Sequence, residues 1–208
     1  MPSPIGHLLA GYVVHSIRGE RFQNKLVFFG TLFSAVAADL DFLPGIVLGD
    51  PNRFHHGITH SIGAACFYGI AMWGALRCCR VSKTLLLALL FASAYGSHLV
   101  LDFFSVDNSD PRGSPLFWPL VDTYYIAPVS LFLDIQRPQG GTLTLLAGVF
   151  SMHNLLTILW EVVVLIPFVI WAQQRRAEKQ RVLRPVGSFD ALTGVDSLGR
   201  RSSKETGQ

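Results

Sequence analysis

The sequence has little charge and few cysteines. Asp, Glu, Lys and Arg make up 15% of the 208 residues, whereas apolar residues make up 50%. This balance, with a mean hydropathy of +0.39, argues against both a disordered chain and an ordinary soluble domain. Cys66, Cys78 and Cys79 contain no Cys-x-x-Cys pair, which excludes a disulfide framework or a thiolate zinc site as an organising feature. We therefore expect one compact, membrane-embedded domain.

Several sequence motifs are also missing. There is no Gly-x-Ser-x-Gly elbow, Walker loop or dinucleotide fingerprint, so serine-hydrolase, nucleotide-hydrolysing and NAD-dependent chemistry have no support. No basic run is interleaved with aromatic residues, and we expect no nucleic-acid partner. The first 20 residues lack a charged n-region before the apolar stretch, so we expect no removable signal peptide.

Five apolar segments predict an all-α membrane bundle of about five helices, because none of them alternates with a period of two. A bilayer core requires about 20 apolar residues per helix. The fourth and fifth segments meet this length, the third is marginal, and the first is short or re-entrant. We predict that residues 1–184 form the domain and that residues 185–208 form a disordered basic tail. The segments are 5–17, 26 to a break at Pro44-Gly45, 61–76, 84–104 and 142–172.

Three clusters of Lys and Arg predict the orientation. They follow segments one, three and five, so they share one side if every segment crosses the bilayer. Because short basic loops stay cytoplasmic, we expect a multi-pass protein of the cell inner membrane with a cytoplasmic C-terminal tail. A monotopic or soluble helical bundle is the alternative. The clusters are Arg18, Arg21 and Lys25; Arg77, Arg80 and Lys83; and Arg175, Arg176, Lys179, Arg181 and Arg184.

The ionisable residues within or beside the apolar segments gather on the opposite, extracytoplasmic side. Such residues are costly in a membrane and indicate function. His98 and Asp102 are four apart and share one helix face. Asp39 and Asp41 are two apart, and a helix end at Pro44-Gly45 would let both turn inward. The full set is His7, Asp39, Asp41, His55, His56, His60, His98 and Asp102.

These residue types predict a divalent metal site. Imidazole and carboxylate ligands together suit zinc, with manganese or iron as alternatives. Because the candidates outnumber the four ligands that one zinc takes, one or two ions are expected. A bound metal lowers the pKa of water from about 15.7 to about 7, and a remaining carboxylate or imidazole would act as general base.

Five ordered blocks carry a family resemblance. They are Gly6-His7-Leu8-Leu9, Asp39-Leu40-Asp41, His55-His56-Gly57-Ile58-Thr59-His60-Ser61, Ser97-His98-Leu99-Val100-Leu101-Asp102 and Gly113-Ser114-Pro115-Leu116-Phe117-Trp118-Pro119. In order and spacing they resemble the bacterial membrane-bound metal-dependent hydrolases, also described as LexA-binding, inner membrane-associated hydrolases. The resemblance covers roughly residues 4 to 125. It implies His7, Asp39, Asp41, His55, His60, His98 and Asp102 as metal ligands.

The chemistry of these residues also predicts catalytic roles. Asp39 or Asp41 is expected to act as base where it is not a ligand, and His56 as a contact to a substrate phosphate or as an acid. The family usually has Arg at the position of His56. The His and Asp order is distantly similar to zinc-dependent phospholipase C, which implies a phosphoester substrate, with a lipid-linked phosphoester as one form. A site near the outer membrane interface also gives easy access to lipids, so membrane lipids are expected partners.

Two other polar features are interpreted structurally. Asp107, Asn108 and Asp110 lack the glycine and glutamate spacing of a calcium loop and predict a polar turn. Glu161 lies inside the fifth segment, and we favour a hydrogen bond between helices over a contact with the metal site.

Two other classes of function stay open. In a non-catalytic membrane interaction or regulatory protein, a structural metal or polar network would hold the helices together. In a metal transporter or sensor, we would expect ligands near the middle of several spans and polar residues on both sides. The sequence leaves the substrate and the oligomeric state open.

Overall fold

The computed structural model describes residues 1–18, 24–50, 53–108, 111–136 and 151–183. Within this part of the chain the regular structure is helical, with two isolated β-bridges, Ser105 to Phe132 and Ser114 to Tyr125, and no β-strand. This confirms the all-α prediction. The α-helices are α1 (Pro4–Arg18), α2 (Lys25–Val36), α3 (Phe42–Val47), α4 (Ile62–Cys78), α5 (Thr84–Phe103) and α6 (Met152–Leu183), with 3-10 helices at Ala37–Asp41 and Ile58–His60.

Side-chain caps explain two of the helix starts. Oδ1 of Asn24 accepts a hydrogen bond from the amide of Leu26 at 2.8 Å, and α2 begins at Lys25. Oγ of Ser61 accepts one from the amide of Ala64 at 3.0 Å, and α4 begins at the next residue. These bonds satisfy amides that have no partner inside the helix.

The predicted helix end at Pro44-Gly45 is wrong. The α-helix ends earlier, at Val36, and a 3-10 helix at Ala37–Asp41 connects it directly to α3. Pro44 is tolerated because it lies in the first turn of α3, where the missing amide hydrogen has no intrahelical acceptor. The helical geometry therefore changes at Ala37–Asp41, which contains both aspartates, and not at Pro44-Gly45.

The predicted end of the fifth segment at Ala172 is also wrong. Helix α6 continues to Leu183 because the following Gln, Arg, Ala, Glu and Lys residues are good helix formers. Gln173 contributes by donating to the Tyr12 hydroxyl on α1 at 3.1 Å. The predicted start near residue 142 and the predicted tail at 185–208 lie outside the described residues.

Helices α1 and α5 each pack against three others: α1 against α2, α5 and α6, and α5 against α1, α2 and α4. Small residues permit these close approaches. A Cβ atom on Gly11 would lie 2.7 Å from the Cβ of Ala35, and one on Gly69 would lie 3.0 Å from that of Ala92. The helices therefore pack nearly backbone to backbone at these two points.

Three stretches are long and apolar enough to cross a membrane: Lys25–Val47, Thr84–Phe103 and Met152–Arg181. Ile62–Cys78 is shorter. Large apolar side chains cover the outside of these helices, including Leu26 and Phe67, which are 78% and 73% exposed. A surface of this kind requires an apolar surrounding.

One end of the bundle is covered by the chain that follows α5. The amides of Leu131 and Phe132 donate to the carbonyl of Phe104 at 2.7 and 3.1 Å, which ties this connection to the end of α5. The amide of Ile62 donates to the carbonyl of Leu116 at 2.9 Å, which ties it to the start of α4. The basic helix ends lie at the other end of the bundle, as Lys83 precedes α5 and Arg77 lies in the last turn of α4.

Candidate metal centre

The structure brings the eight predicted site residues together at the covered end of the bundle. His7 comes from the first turn of α1, and the 3-10 helix after α2 supplies two aspartates. The segment before α4 supplies three histidines, and the last turns of α5 supply one further pair. These residues are His7, Asp39, Asp41, His55, His56, His60, His98 and Asp102.

Four donor atoms face one another at the middle of this cluster. Nε2 of His60 lies 3.2 Å from Nε2 of His98. Oδ2 of Asp102 lies 3.0 Å from the His98 nitrogen and 3.6 Å from the His60 nitrogen. Oδ1 of Asp39 lies 3.5 and 3.7 Å from the same two nitrogens. Zinc bonds of about 2.0 to 2.1 Å in a tetrahedron require donor atoms about 3.3 Å apart, so these five distances fit a zinc-sized ion.

The other nitrogen of each central histidine has a partner of its own. Nδ1 of His98 donates to the carbonyl of Ala35 at 2.9 Å, and Nδ1 of His60 lies 3.3 Å from Oδ2 of Asp41. A neutral histidine that donates from Nδ1 carries its lone pair on Nε2. The lone pairs of the two Nε2 atoms then lie close to one carboxylate oxygen each of Asp39 and Asp102. A cation stabilises such a group of electron-rich atoms. This pairing of the outer nitrogen is typical of metal-binding histidines.

The carboxylates around His60 also favour a positive charge at this position. Burial lowers the pKa of His60, but the neighbouring carboxylates of Asp39 and Asp41 outweigh that effect and raise the pKa to about 10. The site therefore attracts positive charge strongly. A metal must displace this proton in order to bind.

His7 adds a further donor beside the four. Its side chain is fully buried, and its ring stacks on that of His98 with 3.7 Å between the centroids. Nε2 of His7 lies 3.6 Å from Oδ1 of Asp102, whereas His98 contacts the other oxygen of that carboxylate. Donor atoms of His7, Asp39 and His98 all lie within 4.8 Å of one another.

Asp41 lies behind the four donors. Its Oδ1 is 2.9 Å from Nδ1 of His55, and its Oδ2 accepts from the Thr59 hydroxyl at 2.9 Å as well as approaching His60. His55 stacks on Phe42 with 3.8 Å between the ring centroids. Asp41 therefore orients two histidines, while donor atoms of Asp39, His55 and His60 form a further group within 4.8 Å.

His56 contacts a residue that the sequence analysis placed in a polar turn. Its Nδ1 lies 3.1 Å from Oδ2 of Asp107, and its buried Nε2 makes no hydrogen bond within the described residues. The same Asp107 oxygen accepts from the amide of Gly113 at 2.7 Å. Asp110, from the same predicted turn, lies outside the described residues.

Glu161 lies away from this cluster. It accepts hydrogen bonds from the amide of Ser3, at 2.7 Å, and from the Ser3 hydroxyl. The prediction of a hydrogen bond from Glu161 rather than a metal contact agrees with these bonds, but the partner is the residue immediately before α1 and not a helical residue.

Comparison with known proteins identifies the family. The profile described as the YdjM inner membrane protein matches residues 1–178, which include the whole cluster. The chain belongs to the YdjM inner membrane protein family. No curated protein and no solved structure matches it. The family supports an inner-membrane location, in agreement with the apolar helices of the described residues.

In this YdjM-family chain, Asp107 is the site contact that sequence reasoning missed. A single Asp in a loop carries no spacing signal, and its link to His56 arises only when the chain after α5 folds back over the bundle end. The contact between the Ala35 carbonyl and His98 could not be predicted either, because every residue has a carbonyl group. The predicted ligands lay on helices or in dense His and Asp motifs, which sequence spacing reveals directly.

Proposed function

We propose that this YdjM-family chain is a membrane-bound metal-dependent hydrolase. The observation that carries the proposal is the set of four donor atoms at the middle of the cluster. Zinc is the expected ion, with manganese or iron as alternatives, and one or two ions are expected. The residues that would hold it are His60, His98, Asp39 and Asp102, by the five distances given above, with His7 as a further donor.

The metal would supply a nucleophilic water at neutral pH, because it lowers the pKa of that water to about 7. The chain's own residues would supply orientation and proton transfer. Asp41 holds His55 and His60 through its two carboxylate oxygens. His56 offers a buried Nε2 for a contact to a substrate phosphate or for proton donation. Asp39 would act as base where it does not bind the metal.

A phosphoester is the proposed substrate class, and a lipid-linked one suits the surroundings. The resemblance to metal-dependent hydrolases and the distant similarity to zinc-dependent phospholipase C support a phosphoester. Apolar side chains at the covered end of the bundle support access from a lipid layer. Leu120, in the chain that follows α5, is 88% exposed, and Val47, at the end of α3, is 84% exposed.

We further propose that the centre faces the extracytoplasmic side of the inner membrane. His98 lies 14 positions after Thr84, which corresponds to about 21 Å along α5 from its basic end. Basic residues at the opposite end of the bundle favour the cytoplasm. The segment at 185–208 would then be cytoplasmic.

A non-catalytic interaction or regulatory protein is the second candidate. The observation that favours it is that protonated His60 can pair with Asp39, Asp41 and Asp102 without any metal. Such a network would tie the 3-10 helix after α2 to α5 and to the segment before α4.

Elemental analysis by inductively coupled plasma mass spectrometry tests the proposal. Detergent-purified wild type is compared with His98→Ala, His60→Ala and, as control, His153→Ala, whose exposed side chain contacts the carbonyl of Asp134. We expect stoichiometric zinc, manganese or iron in wild type and control, and its loss from the two folded site variants. A folded wild type without metal, even after supplementation, would favour the second candidate.

A further inference from the structure

We propose that Asp107 is a positioning residue that orients His56 in this centre. The inference rests on the proposed function, in which His56 contacts the substrate. Asp107 would fix the ring so that Nδ1 carries the hydrogen and Nε2 is the nitrogen presented to the reacting group. The sequence pattern placed Asp107 in a polar turn and gave it no part in the site.

The first support is the contact itself. Oδ2 of Asp107 lies 3.1 Å from Nδ1 of His56, and the two side chains are only 6% and 10% exposed. A buried carboxylate beside one imidazole nitrogen selects the tautomer that donates from that nitrogen. The lone pair of a neutral His56 then lies on Nε2, where it can accept a proton. Once it carries that hydrogen, Nε2 can contact a phosphate oxygen or donate the proton.

The second support is that Asp107 is itself held in place. Its Oδ2 accepts the amide hydrogen of Gly113 at 2.7 Å. Gly113 has φ of +89°, and a Cβ atom there would collide with the carbonyl of Tyr125. Ser114 and Tyr125 exchange two backbone hydrogen bonds, at 3.1 and 2.9 Å, which fix the neighbouring chain. The amide that orients Asp107 is therefore rigidly positioned.

The third support is the environment of the free nitrogen. Nε2 of His56 is buried and makes no hydrogen bond within the described residues. The ring lies inside the cluster, with centroid distances of 4.6 Å to His55 and 5.4 Å to His60. His56 also has φ of +63°, in the left-handed region that non-glycine residues rarely adopt. Such backbone conformations gather at functional sites.

The tautomer can be measured directly. Ring ¹⁵N chemical shifts of His56, assigned with His56→Ala, distinguish a hydrogen on Nδ1 from one on Nε2. We expect Nδ1–H in wild type and in Asp107→Asn, because an amide oxygen in the position of Oδ2 can accept from both Gly113 and His56. We expect a mixture of tautomers in Asp107→Ala. An Asp107→Ala spectrum identical to wild type would overturn the inference.

A double-mutant cycle separates positioning from general structural support. Turnover of bis(p-nitrophenyl) phosphate by the metal-loaded protein is compared for Asp107→Ala, His56→Ala and the double variant, with Asp122→Ala on the exposed side of the same connection as control. We expect each single variant to lose about tenfold or more in kcat and the double variant to lose no more than His56→Ala alone. If the two single losses in kcat multiply in the double variant, or if Asp107→Ala loses its bound metal, the inference is contradicted.

The two proposals fail in different ways. If wild type binds no metal and turns over no probe, the hydrolase proposal fails while the ¹⁵N measurement still tests the orientation of His56. If metal and turnover are present and Asp107→Ala changes neither turnover nor tautomer, only the inference about Asp107 fails.

Discussion

Oδ2 of Asp102 lies 3.0 Å from Nε2 of His98, and His98 lies one helical turn before Asp102 on α5. The spacing of four residues places both side chains on one helix face. Helix α5 alone therefore supplies two adjacent donors to the proposed centre. The others come from elements that pack around this face, so the centre depends on the assembled bundle.

Asp102→Asn should weaken metal binding by more than about 100-fold. Loss of an outer partner of a ligand weakens metal binding about 10- to 100-fold, and loss of a direct donor should have a larger effect. Competition with a zinc chelator of known affinity measures the change. Asp122→Asn, on an exposed side chain, is the matched control. Equal affinities in both variants would remove Asp102 from the ligand set.

Asp41→Asn should weaken metal binding about 10- to 100-fold but keep full stoichiometry at saturating metal. The reason is that Asp41 contacts the outer nitrogens of His55 and His60. The same titration of Asp39→Asn should show lost stoichiometry, because Oδ1 of Asp39 faces the inner nitrogens. The reverse pattern would make Asp41 the ligand, as the sequence resemblance implies.

Glu161→Ala should lower the free energy of unfolding by about 1 to 3 kcal/mol, because it leaves the buried amide and hydroxyl of Ser3 without their acceptor. Glu161→Gln keeps an acceptor oxygen and should stay closer to wild type. Thermal unfolding in detergent, followed by circular dichroism, measures both. An equal loss in the two variants would mean that charge, rather than hydrogen bonding, sets the contribution of Glu161.

Gly11→Ala should destabilise the protein by about 1 to 3 kcal/mol, since the added methyl group would overlap Ala35 and push α1 from α2. Gly74→Ala is the matched control, because a Cβ atom at this position in α4 meets nothing within 4 Å. It should stabilise the helix by about 0.5 to 1 kcal/mol. The same melting experiment compares them, and similar effects in both would argue against the close α1 to α2 packing.

A reporter fused after residue 183 should report a cytoplasmic location. The expectation follows from the basic residues at the end of α6, since Arg181 lies in its last turn. Green fluorescent protein, which fluoresces in the cytoplasm, and alkaline phosphatase, which is active outside, give opposite signals at this position. Phosphatase activity there would reverse the proposed orientation of the centre.

Local sequence determined the helices of this protein. Apolar stretches without two-residue alternation predicted them, and the segment predicted at 61–76 corresponds closely to α4 at Ile62–Cys78. The polar residues were predicted to gather on one side because their positions relative to the apolar segments are visible in one dimension. The His98 and Asp102 pair is visible for the same reason, since a single helix fixes its geometry.

Only the tertiary structure decided how these residues are arranged around the centre. The structure places Asp39 and Asp41 on a tighter 3-10 turn directly after α2, which no local pattern predicted. That Asp41 orients histidines while Asp102 faces the centre depends on side chains brought together from distant segments. The contact of Asp107 with His56 requires the connection after α5 to cover the bundle end. The sequence specifies the donors and the helices, but distances between segments are set by packing, which no local pattern records.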